Sequence, residues 1–406
     1  MTASNGPAGP RATRTALAVA LAVLIVVGGV LATRPGKATY IGAAIPENRV
    51  VAVLQYRGSA ASEPLREAML ALRAKPDDLA AATAAARLVI TDGRKAGDSR
   101  LVGAALGFLR PFMADANAET LYLAATARQY QHDFPAALGL LDQAIAKDPR
   151  YLDALLTRAT VLTVLGRYDR ALPDCQAIHA LPQPQVGFLC QATALIQSAE
   201  APALYQRLKT ITGAPGALDP ALKGWAVGLM GEIAMLQGNA DLAIRHLAAV
   251  VADDPLALRE RLLLVDALLG ERRSDQALTL LEGTPDIDGV LIRRVLAREM
   301  QGESATADRT ELARRFQLNL DLGLTAHARE ETRFFLQIAK DYPLALQRAE
   351  VNWALQHEIE DAQLLIDAAV AAGRPQAAAP VLEWMAGQKV VVPGLRIPAA
   401  VVEAAK

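Results

Sequence analysis

Gln131-His132-Asp133-Phe134-Pro135-Ala136-Ala137-Leu138 is followed 34 residues on (165 against 131) by Leu165-Gly166-Arg167-Tyr168-Asp169-Arg170-Ala171-Leu172, and this pair of stretches decides the fold. Phe134 falls on Tyr168, Ala137 on Ala171 and Leu141 on Cys175. The theme returns as Gln237-Gly238-Asn239-Ala240-Asp241-Leu242-Ala243-Ile244, whose Ala243 and Leu247 meet Ala277 and Leu281 after the same 34 residues (277 against 243). Ala372-Gly373-Arg374-Pro375-Gln376-Ala377-Ala378 gives it once more, and Asp148-Pro149 and Asp254-Pro255 each close a unit. A fixed period of this size marks stacked supersecondary units. The chain is 52% apolar, mostly Ala, Leu and Val, and only 4% aromatic. Ala and Leu favour helix, and small Ala side chains let helices approach closely. Beyond residue 62 nearly everything reads as helices of about 12–18 residues punctuated by Gly, Pro or Asp.

These residues resemble the tetratricopeptide repeat family, whose unit is two antiparallel helices, A and B. The resemblance implies an all-α solenoid. Each shared position has a physical reason. The Gly permits the tight turn that ends helix A. The aromatic opens helix B and fills the gap between units, and the Ala three residues later allows the helices to cross closely. One helix pair cannot bury its apolar stripe alone, so several must stack. Units 118–151, 152–185 and 224–256 match best. Unit 258–289 keeps Ala277 and Leu281 but has Arg272 where Gly is expected. Stretches 190–215, 288–320, 326–357 and 359–388 are degenerate, and 76–112 is divergent, with an insert around Lys95-Ala96-Gly97-Asp98. The repeat domain is expected over 63–388, with a C-terminal tail at 389–406. As a whole the chain looks like the exported repeat proteins of proteobacteria.

Residues 15–32, from Thr15 to Ala32, carry no charge. As a helix they span about 27 Å, close to the roughly 30 Å of a hydrocarbon core. We expect an uncleaved single-pass anchor in the inner membrane, with a cytoplasmic tail at 1–14, a linker at 33–62 and the repeats in the periplasm. A signal peptide cut after Ala32, releasing the body to the periplasm, is one alternative. Reversed topology is another, since Arg11 and Arg14 precede the segment and Arg34 and Lys37 follow it.

Lys+Arg 42 against Asp+Glu 43 gives a net charge of -1, which removes the electrostatic case for nucleic acid and for a polybasic lipid surface. No HExxH, GxSxG, GxxxxGK[ST] or strand-borne GxGxxG occurs, and no Cys/His cluster has metal spacing. No catalysis, metal or cofactor is therefore expected. His132 occupies a turn position where Gly is commoner, and His179, His246 and His357 read as solvated or boundary residues. The run from His327 to Arg333 reads as a solvated mixed-charge face in which Glu330 and Arg333 pair at i,i+3. Arg293-Arg294 and Arg314-Arg315 are basic pairs that could meet an acidic partner. Trp225, Trp353 and Trp384 read as packing residues, Trp225 alone being placed to face a groove.

The resemblance places a concave groove on the A helices. Its positions fall on Glu119, Tyr122, Thr126, Gln129 and Tyr130 in one unit and Asp153, Leu156, Thr160 and Thr163 in the next. They imply a protein partner, gripped as an extended peptide or a helix. Cys175 lies on one B helix and Cys190 on the following A helix, at similar heights across the Leu181-Pro182-Gln183-Pro184-Gln185 turn. A disulfide fits an exported protein, while two buried thiols acting as small apolar residues are the alternative. The expected function is a membrane-tethered interaction scaffold. An assembly or maturation factor for an exported or membrane complex, and a cell-envelope enzyme without recognisable motifs, are the alternatives.

Overall fold

The residues that repeat in sequence occupy equivalent places in space. Ala137, Ala171, Ala243 and Ala277 are completely buried where B helices cross their partners, and Phe134 and Tyr168 are buried beside them. The computed structural model describes residues 62–96 and 99–405. The tail at 1–14, the apolar segment at 15–32 and all but the last residue of the linker at 33–62 lie outside the described residues. Among the described residues there is no strand, and no helix is long and apolar enough to cross a membrane.

Among the described residues, helix α1 (Glu63–Ala74) packs on the first of nine successive helix pairs. These are α2/α3 (Leu79–Ala96, Ser99–Leu109), α4/α5 (Ala118–Tyr130, Phe134–Lys147), α6/α7 (Leu152–Val164, Tyr168–His179) and α8/α9 (Pro184–Leu195, Ala201–Gly213). They continue as α10/α11 (Lys223–Leu236, Ala240–Asp253), α12/α13 (Leu258–Gly270, Ser274–Leu281) and α14/α15 (Asp288–Met300, Thr306–Asp321). The last two are α16/α17 (Ala328–Arg333, Tyr342–Leu355) and α18/α19 (Ile359–Ala371, Ala379–Gln388), followed by the short α20 (Ala399–Ala404). Every even-numbered helix from α2 to α16 touches the next even-numbered one, so the A helices form one continuous layer. Among the described residues the chain is an all-helical solenoid of stacked helix pairs.

Six of the A-to-B turns among the described residues share one device. His132, Gly166, Gly238, Arg272, Gly302 and Gly373 all take a left-handed conformation, with φ between 57° and 77°. One residue further on, the N–H of Asp133, Arg167, Asn239, Arg273, Glu303 or Arg374 donates back to a carbonyl in the last turn of helix A at 2.8–3.0 Å. This satisfies carbonyls that the helix end would otherwise leave unpaired. In two units the same residue then caps helix B: the side chains of Asp133 and Asn239 accept from Ala136 N and Leu242 N at 3.3 and 3.1 Å. Pro135 adds a preset first-turn φ. His132 and Arg272 adopt the glycine conformation without being glycine, and for Arg272 this explains why its unit looks weaker in sequence than it is in structure. Helix α16 departs from the pattern. It runs on into a π-helical stretch, Phe334–Ala339, and ends on left-handed Lys340.

The segment expected as a C-terminal tail, 389–406, packs back on the solenoid. Val390, Val392, Leu395 and Val401 are buried. Val391 N donates to Gln197 O at 2.7 Å and Gly394 N to Leu236 O at 2.8 Å. The last units reach the middle of the chain as well. His357 N donates to Val164 O at 2.8 Å, Trp384 Nε1 to Gly166 O at 3.1 Å, and Tyr168 N to Gln388 Oε1 at 3.1 Å. Trp353, His357, Trp384 and Tyr168 form one aromatic cluster, with Trp353 and His357 rings 4.2 Å apart and Trp353 and Trp384 rings 5.4 Å apart. The superhelix therefore closes on itself between its third and ninth pairs.

Candidate functional site

The A-helix layer carries two different chemistries along its length. At its N-terminal end lies a shelf of mixed aromatic and polar groups. Arg87 on α2 pairs with Glu119 on α4. Tyr122 meets Tyr151, which precedes α6, edge to face with ring centroids 5.6 Å apart. Burial raises the Tyr122 phenol, and it pushes that of Tyr151 up to about 12, the nearby Asp153 carboxylate acting in the same direction. Both hydroxyls therefore stay neutral donors at physiological pH. Beside them Arg150, Tyr151, Leu152, Asp153, Leu181, Pro182 and Gln183 line an open notch of about 360 Å³.

Of the groove positions expected from the resemblance, Glu119, Tyr122 and Asp153 come together on this shelf. Leu156 is half-buried and packs into the core of its unit. Thr160 is exposed and Thr163 half-buried, but each turns its hydroxyl back to the carbonyl four residues earlier, on Leu156 and Ala159, at 2.8 Å. Thr126 is buried, with its hydroxyl on Tyr122 O at 2.9 Å, and presents nothing to a partner. Gln129 is half-buried near the helix end. Tyr130 lies under the Arg94 guanidinium, 5.6 Å from ring centroid to Cζ. Two shelf residues escaped the sequence reading. Arg87 belongs to the divergent first pair, and Tyr151 lies in the closing turn of a unit rather than on an A helix. Trp225 does not face a free groove: it is half-buried between A helices, donating to Thr193 Oγ1 at 3.2 Å.

Further along, the same layer is a ladder of ion pairs. Arg259 on α12 takes Glu232 on α10. Asp266 on α12 receives Arg293 of α14 through Nε at 2.8 Å and Arg333 of α16 at 3.2 Å. Arg333 also pairs with Glu360, and Arg329 with Asp361 and Glu358, all near the start of α18. The run from His327 to Arg333 is thus an inter-helix clamp and not a solvated face with an internal Glu330–Arg333 pair. The Arg293, Arg333 and Arg329 side chains are only 8%, 13% and 20% exposed, so their partners come from other helices. The basic pairs are spoken for too. Arg294 lies on Asp308 and Asp286, and Arg315 on Glu311 and Asp288. Among the described residues no three His, Cys, Asp or Glu side chains are grouped to hold a metal ion.

His132 sits where this ladder meets the α4–α5 turn. Burial lowers its pKa to about 4, with the positive charges of Arg329 and His327 adding to the effect and Glu358 opposing it. A lowered pKa means that the folded protein holds this proton less well than the unfolded chain. The contribution is fully present above the unfolded value of about 6.5 and is lost as pH falls toward 4. After allowing for solvent screening of this half-buried ring, roughly 2 kcal/mol is at stake. His132→Asn tolerates the left-handed backbone and removes the titration. We expect its stability to fall less steeply than wild type between pH 6.5 and 4 in urea melts, with part of the slope remaining because His357 is also lowered by burial. Superimposable pH profiles would contradict this account.

Cys175 and Cys190 are bonded to each other, with their Cα atoms 5.3 Å apart, across the seam between α7 and α8. Helix α8 approaches α7 most closely at Gly187, where an added Cβ would sit 2.5 Å from the backbone nitrogen of His179 and 2.9 Å from Cys175 O. Only a glycine permits that contact, and it brings Cys190, one turn further on, to Cys175.

A family model for the tetratricopeptide repeat matches residues 122–183 and 229–288, so these segments are tetratricopeptide repeats. No curated protein matches the chain in sequence. Solved structures that resemble it include a tetratricopeptide repeat protein from Parabacteroides merdae, with 18% identity over 58% of this chain and 98% of that one and a TM-score of 0.36. Yeast Tom70 gives 13% identity over 84% and 83%, with a TM-score of 0.39. The Cut9–Hcn1 hetero-tetramer of APC/C gives 12% over 79% and 68%, with a TM-score of 0.39. At these scores nothing about curvature or partner carries over to this chain.

Proposed function

We infer that this chain is a protein-interaction scaffold that grips a partner polypeptide on its A-helix layer and performs no chemistry of its own. The observation that carries this reading is the shelf of Arg87, Glu119, Tyr122, Tyr151 and Asp153. It sets aromatic faces, neutral donors and one charge pair side by side at the open end of a layer whose other end is saturated with ion pairs. Peptide grooves use such a mixture, because aromatic faces bury area while the polar groups fix register. A photo-reactive amino acid in place of Tyr122 or Asp153 is expected to crosslink a discrete partner in the native cell. The same group in place of Gln143, exposed on a B helix, is expected to give none. Equal labelling from all three positions would sink the reading.

The scaffold is held at the inner membrane by residues 15–32, with the repeats in the periplasm. Two features support this placement: the uncharged segment is long enough to span a bilayer, and the bonded cysteine pair suits an oxidising compartment. Protease added to spheroplasts should digest the repeats; protection until the membrane is lysed would overturn the periplasmic placement.

A further inference from the structure

The C-terminal strap meets the solenoid in a regular way. Gln197 O and Leu236 O lie at the ends of A helices α8 and α10, in successive units, and each accepts one strap amide. The two donors, Val391 and Gly394, are three residues apart. The strap thus steps one donor per repeat along carbonyls that helix ends leave unpaired. Its side chains alternate accordingly: Val390, Val392 and Leu395 are buried, while Val391 is 48% exposed. The turn that carries Leu395 N to Val392 O at 3.0 Å centres on Pro393-Gly394. Position 394 admits only glycine, because an added Cβ would lie 2.9 and 3.0 Å from the carbonyl oxygens of Leu236 and Met235.

We propose that the ends of α8 and α10 form a peptide track, that residues 390–395 occupy it as an internal ligand, and that the partner segment taking it when the strap lifts is an apolar peptide of the pattern apolar-x-apolar-Pro-Gly-apolar that turns at its Pro-Gly. The inference deepens the scaffold reading and rests on it. The closure of the superhelix is held separately, by His357, Trp384 and Gln388, which precede the strap in sequence, so the strap can lift without opening it. Partner binding is then competition between a tethered segment and a free one for the same two carbonyls.

The test is direct binding of a fluorescent peptide with the sequence of residues 388–397 to the full chain and to its Gly394→Val variant. The variant strap cannot seat, so the peptide is expected to bind the variant at least ten-fold more tightly than wild type. A peptide carrying Val in place of Gly394 should bind neither. Equal affinity for both proteins, or no binding to a variant that remains helical by circular dichroism, overturns the proposal. Hydrogen exchange on the wild type decides the matter should the variant fail to fold. The amides of Val391 and Gly394 are expected to exchange at least ten-fold faster than those within α8 and α10, and equal protection would make the strap a fixed part of the core. Crosslinking from Tyr122 is independent of the strap. A strap that lifts with no cellular crosslink would leave the track standing and remove the scaffold reading; crosslinks with an immobile strap would do the reverse.

Discussion

Replacing Arg348 by methionine is expected to lower stability by about 3–5 kcal/mol, and replacing Glu331 by methionine as well should restore most of it. Arg348 on α17 donates through Nε to Glu331 at 2.5 Å and through Nη2 to Leu324 O at 2.9 Å. The Glu331 side chain is completely buried, and burial pushes its pKa up even with Arg348 opposing that rise. Without the guanidinium the carboxylate keeps only the Asn319 hydrogen bond and the weaker influence of His327 to offset its burial. The double variant removes both charges from a site already surrounded by Phe334, Phe335 and Leu336, so desolvation no longer opposes folding. The sign of the pH dependence follows. A group whose folded pKa is raised contributes most favourably below its unfolded value and loses that contribution as pH rises through the folded one. The defect of Arg348→Met should therefore shrink on acidification from pH 7 to 5 in urea melts. A single-variant loss below 1 kcal/mol, or a double variant no better than the single, would show that the pair is not held as buried charge.

The repeat positions were legible in sequence because each answers a constraint that recurs identically in every unit. Ala137 and Ala171 sit at a crossing that excludes larger side chains, and Phe134 and Tyr168 plug the same gap. The degenerate units were harder for a specific reason. The backbone needs a left-handed residue after helix A, and in the weaker units Arg272 and Lys340 supply it without writing glycine. In α16 the π-helical turn also breaks the spacing on which a periodic reading depends. The clamp around Arg329 and Arg333 was misread because its carboxylates lie 27 to 67 residues away, as with Glu360 (360 against 333) and Asp266 (333 against 266). Pairs within one helix are the only ones that a helical wheel displays. The strap left no periodic trace at all, since Val390-Val391-Val392-Pro393-Gly394 is too short to show one and its contacts span up to 194 residues (391 against 197).

Breaking the Cys175–Cys190 link is expected to destabilise the chain by about 3 kcal/mol, the chain-entropy value for a loop of this length. The link closes only 15 residues of sequence, yet it ties the third repeat to the fourth. In a solenoid stability is close to a sum of unit and nearest-neighbour terms, so a loss confined to one seam lets the chain open there first. Cys175→Ala with Cys190→Ala is accordingly expected to raise hydrogen exchange in α7 and α8 well before that in α4 or α11, and reductant should reproduce the effect on wild type. Both sulfurs are buried, Cys175 at 1% exposure and Cys190 at 4%. The reduced thiols therefore still pack as small apolar residues, and the fold should survive with a lower midpoint. The strap adds a second consequence. Its Val391 amide is received by Gln197, at the far end of the helix that carries Cys190, so loosening α8 also loosens the track. Reduction should then increase exchange at Val391 and Gly394 together with α8. If reductant leaves the melting midpoint and the exchange of α7, α8 and the strap unchanged, the bond makes no contribution to the seam, and the thiols act there as packing alone.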